Sequence, residues 1–372
     1  MHFETLALQT TRISDANAGA VSAPIYLSTT FERDENNSLP HGYIYSRPSN
    51  PNRDALEKAC AVLEGGAVGM AFASGQAATT TLLQCLRPGN HVLVPDDAYF
   101  GTPAVLETYF SPWGLTFTKV NMSDLAAVSR AFRPETKLVW TETPSNPLLK
   151  ITDLRAVSAL AAANNAICVC DNTWGTPVLQ RPIEQGCDVV MHSTTKYFGG
   201  HSDLLSGCLV FKENNSLAER AQQLQALGGA VPSPFDCWLV LRGIKTLALR
   251  VRQQSENAAK VAQFLTQHPD VEQVNYPGLE SHSGYEIARR QMLLPGAMLS
   301  VQFKGGAAAA LAVKSRVKIF IRATSLGGVE SLIEHRATAE GLNPTSPPNL
   351  LRLSIGLEHY QDLIADLEQA LG

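Results

Sequence analysis

The sequence predicts an α/β protein with a mainly parallel central sheet and a smaller α+β C-terminal domain. Short apolar stretches alternate with helical patterns between residues 91 and 211, which is typical of a parallel sheet covered by helices on both faces. The alternation ends near residues 232–234, where Pro-Ser-Pro precedes a long helical pattern. The length of 372 residues suffices for about two domains with ample cores.

The elements can be placed in order along the chain. Residues 1–47 are rich in Thr and Ser with weak periodicity, which predicts an extended N-terminal arm. A helical spacing of apolar residues begins at Asp54 and ends at Gly65. We assign residues 48–240 to a large domain and residues 241–372 to a small one. The other predicted helices are Ala77–Leu86, Leu154–Asn164, Leu217–Leu227 and Phe235–Gln267, and the predicted strands are His91–Val94, Leu115–Val120, Lys137–Glu142, Ala166–Cys170, Asp188–His192, Cys208–Phe211, Met298–Phe303 and Leu351–Ile355.

The composition argues against several classes of protein. Hydrophobic residues make up 45% of the chain and charged residues 17%, so it is not a disordered protein. The net charge of −4 is too small to favour nucleic acid or an anionic membrane as partner. The uncharged stretch Gly65–Leu86 is long enough to span a membrane, but its Gly, Ser, Thr and Gln content predicts a buried loop and helix instead. The seven cysteines lack metal-binding spacing, so we expect no metal and reduced thiols in a cytoplasmic protein.

The stretch 189–200 carries the most informative functional signal. An apolar strand ends at His192, and Ser193, Thr195 and Lys196 follow where the chain enters a loop. In an open parallel sheet, ligands bind beyond the carboxyl ends of the strands. A lysine there can form a Schiff base and hydroxyls can bind a phosphate, and pyridoxal 5′-phosphate (PLP) requires both. Taken alone, a lysine after a strand is more often a solvated surface residue, so other signals must support this hypothesis.

Two further strand ends carry groups that suit PLP. Ser74, Gly75 and Gln76 form a loop before a predicted helix, and exposed amides at a helix N-terminus bind a phosphate dianion. Such loops often serve packing alone. Asp171 follows a buried apolar strand, where a carboxylate needs a partner. The pyridinium nitrogen of PLP is such a partner, and a helix cap is the alternative.

Three more residues have weaker signals. Tyr99 lies in a loop after a strand and could stack on a cofactor ring, or be a partly buried loop tyrosine. Asn146 lies between two prolines, which usually marks a turn. Arg352 lies on an otherwise apolar strand, and a buried guanidinium binds a carboxylate with two hydrogen bonds. A structural ion pair is the alternative for Arg352.

These motifs occur in an order that closely resembles the cystathionine γ-synthase/γ-lyase family. Its members are the Cys/Met-metabolism PLP enzymes of the aspartate-aminotransferase-like fold (PLP fold type I). The resemblance covers nearly the whole chain. The matching stretches are Pro24–Phe31, Tyr45–Arg53, Ala73–Ala78, Glu142–Pro147, Asp171–Thr173, His192–Asp203, Leu227–Leu249, Ser325–Arg336 and Leu351–Glu358.

The resemblance implies a role for each matching residue. Lys196 is the expected Schiff-base lysine, Asp171 the expected partner of the pyridinium nitrogen, and Tyr99 the expected ring-stacking tyrosine and acid/base. The other residues expected to bind the cofactor are Tyr45, Arg47, Ser74, Gly75, Gln76, Asn146, Thr173, Ser193 and Thr195. The residues expected to bind the substrate are Asn146, Ser325, Glu330 and Arg352.

The resemblance also implies a reaction. The substrate amine displaces Lys196, and the freed lysine removes the Cα proton while the PLP ring delocalises the carbanion. A second proton leaves Cβ, and the γ-substituent is expelled with Tyr99 as the candidate proton donor. A nucleophile then adds in γ-replacement, or the product collapses to a 2-oxo acid and ammonia in γ-elimination.

Two positions depart from the pattern of members that act on cystathionine. Those members usually carry an acidic residue in place of Ile44 and often an arginine in place of Ala104. Both groups contact the distal end of a long zwitterionic substrate, and losing a buried charge partner costs about 2–5 kcal/mol. Glu330, typical of γ-synthases and γ-lyases, is retained. We therefore expect γ-chemistry with a partner smaller or less polar than cystathionine.

Several alternatives stay open. They are a cystathionine β-lyase, a methionine γ-lyase-type C–S lyase and a non-catalytic PLP-binding protein, whereas the motifs point away from an aminotransferase. The expected partner is a small amino-acid substrate, with neither nucleic acid nor membrane. Tyr45 and Arg47 are expected to reach the phosphate site of a neighbouring subunit. The resemblance therefore implies a dimeric active site, in a homotetramer built from two dimers.

Overall fold

A computed structural model describes residues 1–13, 15, 18–341 and 344–372. The helices are α1 (Phe3–Thr10), α2 (Pro51–Glu64), α3 (Gly75–Gln84), α4 (Gly101–Val105), α5 (Ser111–Trp113), α6 (Leu125–Ala131), α7 (Leu154–Ala163), α8 (Thr176–Leu179), α9 (Ser216–Gly228), α10 (Pro234–Ile244), α11 (Leu247–Gln267), α12 (Tyr285–Gln291), α13 (Gly306–Arg316), α14 (Arg336–Glu340) and α15 (Tyr360–Leu371). A π-helical turn (Leu106–Phe110) and a 3-10 turn (Pro182–Gln185) accompany them. The strands are β1 (Val68–Phe72), β2 (His91–Pro95), β3 (Thr116–Val120), β4 (Thr136–Glu142), β5 (Ile167–Asp171), β6 (Val189–His192), β7 (Gly207–Phe211), β8 (Val271–Asn275), β9 (Met298–Phe303), β10 (Leu332–His335) and β11 (Leu350–Ser354).

The large sheet confirms the predicted α/β class. Its seven strands have the order β1-β7-β6-β5-β4-β2-β3. The strands β3, β2, β4, β5 and β6 are parallel, and β7 is antiparallel to both of its neighbours. Trp140 of β4 belongs to a core cluster with Leu82 of α3, whereas Val190 of β6 belongs to another with Leu56 of α2. Helices therefore cover both faces, and the carboxyl ends of β4, β5 and β6 lie along one edge.

The small sheet supplies the opposite wall of the site. Its four strands have the order β10-β11-β9-β8, and all pairs are antiparallel. Val261 of α11, Val313 of α13 and Leu367 of α15 pack with its apolar side chains in one cluster. The strands of this sheet lie between residues 271 and 354, whereas those of the large sheet lie between 68 and 211. The boundaries at residues 47 and 240 stay predictions.

The expectation of an extended N-terminal arm is wrong for residues 3–10, which form α1. Phe3, Leu6 and Ala7 have helical spacing, and they pack on the core cluster that includes Leu56 of α2. The Thr11 hydroxyl donates a hydrogen bond of 2.7 Å to the Ala7 carbonyl at the helix end. Tertiary packing thus orders a segment whose own periodicity is weak.

The long helix expected for Phe235–Gln267 is two helices, α10 and α11, with a break after Ile244. The Gly243 carbonyl accepts hydrogen bonds from the Thr246 amide at 3.2 Å and from Arg250 Nη2 at 2.9 Å. These bonds take the Gly243 carbonyl out of the α-helical ladder. Gly243 also packs closely on residues 198–199, since a Cβ there would lie 2.3 Å from the Phe198 carbonyl oxygen.

Three strands were not anticipated from the sequence: β1, β8 and β10. The stretch Gly65–Leu86, expected to be a loop and helix, contains β1 as well as α3. Gly69 allows β1 to approach α2, because a Cβ there would lie 2.1 Å from the Glu57 carbonyl oxygen. Within the described ranges of the chain, every helix is too short or too polar to cross a membrane.

Candidate active site

A cavity of about 350 Å³ opens at the carboxyl ends of β4, β5 and β6. Its other wall comes from the turn before β10, the start of α14, and β11. Every residue predicted to bind cofactor or substrate lines this cavity except Tyr45, Arg47 and Glu330. The fold therefore brings together groups from segments that are far apart along the chain.

Lys196 lies in the turn after β6, and its side chain reaches across the cavity. Its Nζ donates a hydrogen bond of 2.6 Å to Ser325 Oγ. Burial lowers the pKa of Lys196, and the nearby charge of Arg352 lowers it further. Ser325 has a φ of 109°, a region where non-glycine residues are rare and strained. The backbone is thus held in an unfavourable conformation that presents Ser325 to the lysine.

Arg352 on β11 is buried and lines the same wall as Ser325. Its Nη1 donates to Asn146 Oδ1 at 3.1 Å, and its Nη2 donates to the Ser325 carbonyl at 3.2 Å. Nη2 also lies 2.6 Å from Glu334 Oε2 in an ion pair. Burial lowers the pKa of Arg352 to about 10, although Glu334 opposes this shift. Arg352 therefore forms a structural ion pair, which was the alternative to substrate binding predicted from the sequence. It also lines the cavity.

Two buried carboxylates end neighbouring strands at the base of the cavity. Glu142 and Asp171 are register partners on β4 and β5. Asp171 Oδ1 accepts a hydrogen bond of 3.0 Å from the Thr173 amide. Burial raises the pKa of Asp171, against the hydrogen bonds from Thr173 and the charge of His192. Burial and the Asp171 charge raise the pKa of Glu142 well above its usual range. A cationic ring nitrogen would stabilise this acidic pair.

The N-terminus of α3 faces the cavity. Ser74 Oγ accepts a hydrogen bond of 3.0 Å from the Ala77 amide, so the amides of Gly75 and Gln76 precede the helical ladder and can donate to an anion. A Cβ on Gly75 would lie 2.9 Å from Ser193 Cβ. Glycine therefore lets the helix end and the Ser193 hydroxyl share one small space. Amides, a hydroxyl and the absence of a Cβ fit a phosphate group.

Two of the predicted phosphate ligands already have protein partners. The Thr195 hydroxyl donates to the Ser206 carbonyl and accepts from the Ser206 amide, each at 3.0 Å. The Thr195 hydroxyl must therefore break its hydrogen bond to the Ser206 carbonyl before it can donate to a phosphate. Gln76 Nε2 donates to the Gly101 carbonyl at 2.9 Å, so its backbone amide, rather than its side chain, remains for the phosphate.

Tyr99 lies at the mouth of the cavity with 40% of its surface exposed. Its amide donates to Glu142 Oε2 at 2.8 Å, which ties the loop to β4. A Cβ on Gly101 would lie 2.4 Å from Tyr99 Cε1, so that glycine makes room for the ring. Burial raises the pKa of Tyr99, and the charges of Asp171 and Glu142 act in the same direction. The phenol therefore keeps its proton at neutral pH.

Three predicted residues do not reach the cavity. Tyr45 and Arg47 are exposed in the arm. Glu330 is not among the residues that line the cavity. Its Oε2 lies 3.0 Å from the position that a Cβ on Gly328 would occupy. Thr324, which precedes Ser325, lines the cavity edge instead.

Sequence reasoning missed several cavity residues. They are Phe100, Glu142, Trp174, Met191, Leu205, Thr324, Leu326 and Arg336. The charged run of Glu334, His335 and Arg336 after two apolar residues was a usable signal, because buried charges need partners. Phe100 and Leu205 gave no such signal, since single apolar loop residues are common.

A lysine, a buried aspartate and a helix N-terminus at one edge of an α/β sheet fit the class of PLP-dependent enzymes. The family model described as "Cys/Met metabolism PLP-dependent enzyme" matches residues 4–372. The chain belongs to this family, so PLP is its cofactor and a small amino acid its kind of substrate.

Curated relatives and a solved structure agree with this assignment. Cystathionine gamma-synthase of Mycobacterium tuberculosis is 49% identical, over 96% of this chain and 94% of that protein. Cystathionine beta-lyase of Coxiella burnetii is 44% identical, over 100% of this chain and 98% of that protein. The crystal structure of metB from Corynebacterium glutamicum superposes with a TM-score of 0.97 at 44% identity, covering 100% of this chain and 98% of that one.

Proposed function

We propose that the chain catalyses γ-replacement or γ-elimination on homoserine-derived or sulfur-containing amino acids. The observation that carries this proposal is the contact of Arg352 with both Asn146 and Ser325, beside the Lys196 amine. A planar guanidinium binds a carboxylate with two parallel hydrogen bonds. An amino acid held there by its carboxylate presents its Cα to Lys196.

Lys196 is proposed as the residue that anchors the cofactor and moves the Cα proton. Its lowered pKa favours the neutral amine, which is the form that accepts a proton. Bound PLP supplies an electron sink for the carbanion at the substrate Cα. With PLP bound, Asp171 would keep the ring nitrogen protonated, and Tyr99 would hold the ring by stacking and would donate a proton to the leaving group.

Phosphate binding is assigned to two groups of residues. Ser74, Gly75 and Gln76 offer the end of α3, and Thr173, Ser193 and Thr195 surround it from β5 and β6. The Thr173 hydroxyl accepts a hydrogen bond of 2.9 Å from the Ser193 amide, which joins the two strand ends.

The outer part of the cavity supports an uncharged γ-substituent or nucleophile. Phe100 and Leu205 line it and are 54% and 59% exposed. Ile44 and Ala104, where the family resemblance implies charged residues in members that act on cystathionine, are also exposed in the single chain. An apolar rim favours a small thiol over the charged distal end of cystathionine, because a desolvated charge without a partner is costly.

Tyr45 and Arg47 are assigned to the active site of a neighbouring subunit. Both are exposed and lie outside the cavity of their own chain, as residues that serve a second copy must be. We infer a homotetramer made of two such dimers. The seven free cysteines suit the reducing cytoplasm.

A β-lyase is the second candidate, favoured by the relatives named cystathionine beta-lyase. A methionine γ-lyase-type C–S lyase is a related candidate, which expels sulfur from Cγ rather than Cβ and therefore also removes a proton from Cβ. Lys196 and Asp171 would have the same roles in all three reactions.

Product analysis distinguishes these candidates. The holoenzyme is incubated with O-acyl homoserines, with and without sulfide, methanethiol or cysteine, and separately with cystathionine, and products are identified by mass spectrometry. We expect 2-oxobutanoate without nucleophile and a new thioether or thiol amino acid with sulfide or methanethiol. Pyruvate from cystathionine as the main product would instead establish the β-lyase. Lys196→Ala is the control for uncatalysed reaction.

A further inference from the structure

One carboxylate oxygen is shared by two buried arginines beside the cavity. Glu334 Oε2 lies 2.6 Å from Arg352 Nη2 and 2.9 Å from Arg336 Nη1. The side chains of all three residues are at most 6% exposed. Glu334 and Arg352 are direct cross-strand partners on β10 and β11. The shared oxygen therefore belongs to a fixed three-residue cluster rather than to a flexible surface contact.

Arg336 begins α14 and lines the cavity. Its Nη2 lies 3.5 Å from Glu340 Oε1 in a longer ion pair, whereas Glu340 Oε2 accepts hydrogen bonds from the amides of Thr345 and Ser346. Its Nε is buried and has no hydrogen-bond partner within the described residues. Glu334 is thus the nearest counter-charge of Arg336.

The charges of this cluster determine what Arg352 can bind. With both guanidiniums present, Glu334 and Glu340 supply two negative charges against two positive ones, and Glu334 is shared between the arginines rather than paired with Arg352 alone. With Arg352 and Glu334 alone, the pair would be neutral. An incoming carboxylate would then have to compete with Glu334 for Arg352.

We propose that Arg336 is a positioning residue that holds Glu334 and so leaves Arg352 free to bind the substrate carboxylate. The inference rests on the proposed role of Arg352 as the carboxylate ligand. Arg336 need not touch the substrate, because it acts on Glu334. The carboxylate of Glu334 competes with the substrate carboxylate for Arg352. The effect is specific to ligands that carry a carboxylate.

Ligand binding to the holoenzyme tests this inference without turnover. L-2-aminobutanoate and 1-propylamine share an amine and an alkyl chain, and only the first has a carboxylate. Dissociation constants are obtained from the change in the cofactor absorption band. In Arg336→Met we expect about tenfold weaker binding of 2-aminobutanoate, since close charge pairs have couplings of this size or larger. Binding of propylamine should change less than about twofold.

Two matched variants separate charge from structural support. Arg336→Lys keeps the charge and should stay within about threefold of wild type for 2-aminobutanoate. Adding Glu334→Gln to Arg336→Met returns these side chains to their wild-type net charge and should recover most of the lost affinity. Equal weakening of both ligands, or a double variant as weak as Arg336→Met, would overturn the inference.

Three further outcomes keep the test decisive. If Arg336→Met yields no folded holoenzyme, Glu334→Gln alone must tighten binding of 2-aminobutanoate, and a weaker complex would contradict the proposal. If wild type binds both ligands equally well, the carboxylate role of Arg352 itself fails. If wild type prefers 2-aminobutanoate and Arg336→Met prefers it equally, only the role of Arg336 fails.

Discussion

The Lys196 amine donates a 2.6 Å hydrogen bond to the hydroxyl of Ser325, a residue held at a φ of 109°. Lys196 lies in the turn after β6 of the large sheet and Ser325 in the loop before β10 of the small sheet, 129 positions apart in the chain. Arg352 holds the Ser325 carbonyl, and the Ser354 hydroxyl accepts a 3.0 Å hydrogen bond from the Gly327 amide in the same turn. Anchoring by β11 thus keeps a strained residue next to the proposed catalytic amine.

Removal of the Ser325 hydroxyl should slow the reaction. A hydrogen bond between uncharged groups contributes about 0.5–1.5 kcal/mol, so Ser325→Ala should lose about 2- to 10-fold in kcat/KM. Ser325→Gly lacks the same hydroxyl but tolerates a positive φ. Steady-state kinetics and thermal unfolding should find both variants similarly slow and the glycine variant at least as stable. Wild-type kinetics in either variant would contradict the role of this contact.

Tyr99→Phe should affect poor leaving groups most. Burial raises the pKa of the phenol, so it stays protonated and can donate a proton at neutral and mildly alkaline pH. A thiolate leaving group benefits from that proton, whereas an acetate or succinate leaves as a stable anion. We expect a loss of about 100-fold or more in kcat with thioether substrates and a much smaller loss with O-acyl homoserines. Equal losses with both substrates would assign Tyr99 to ring stacking alone.

Restoring the absent charges should broaden the substrate range. Ile44→Glu combined with Ala104→Arg supplies partners for the ammonium and carboxylate at the distal end of cystathionine. We expect kcat/KM for cystathionine to rise about tenfold or more, with little change for O-acetylhomoserine plus methanethiol. Ile44→Gln with Ala104→Gln, which adds polarity without charge, is the matched control. An equal gain in the control would mean that polarity, not charge, sets the preference.

Glu57 should make stability depend on pH. Its partly buried carboxylate accepts hydrogen bonds from the Ala71 amide at 2.9 Å and from Gln225 Nε2 at 2.8 Å. Burial raises its pKa to about 7. The folded chain therefore keeps a proton that the unfolded chain releases above its usual pKa of 4.5. This contribution to stability is present below pH 4.5 and is lost as the pH rises through about 7.

The check compares wild type with Glu57→Gln, which cannot titrate. From pH 5 to pH 8 the wild type should lose about 2 kcal/mol of unfolding free energy relative to the variant. Chemical denaturation at several pH values measures the difference, and other titrating groups cancel in it. A constant difference across this range would contradict the raised pKa.

Much of the site could be predicted because its signals are local. Asp171 and Lys196 each follow an apolar strand, and strand ends in a parallel sheet share one edge, so their proximity follows from the α/β pattern. Ser74–Gln76 likewise precede a helix whose first amides are exposed. These inferences required only the order of strands and helices, not the register of the strands.

The other residues depend on contacts that no local pattern reveals. Arg352 stood out as a charge on an apolar strand, but its partner Glu334 lies on β10, a strand the sequence analysis missed. Without the pairing of β10 with β11, neither the shared oxygen nor the place of Arg336 could be predicted. Glu330 is the opposite case. The family resemblance assigned it to substrate binding, but it does not line the cavity.

Mapping the cofactor linkage tests the central claim most directly. The holoenzyme is reduced with borohydride and digested, and the phosphopyridoxyl peptide is identified by mass spectrometry. The account predicts modification at Lys196 alone, bleaching of the cofactor band, and no adduct in Lys196→Ala. An adduct on another lysine, or a colourless protein that borohydride leaves unchanged, would contradict the assignment of Lys196 as the cofactor-binding lysine.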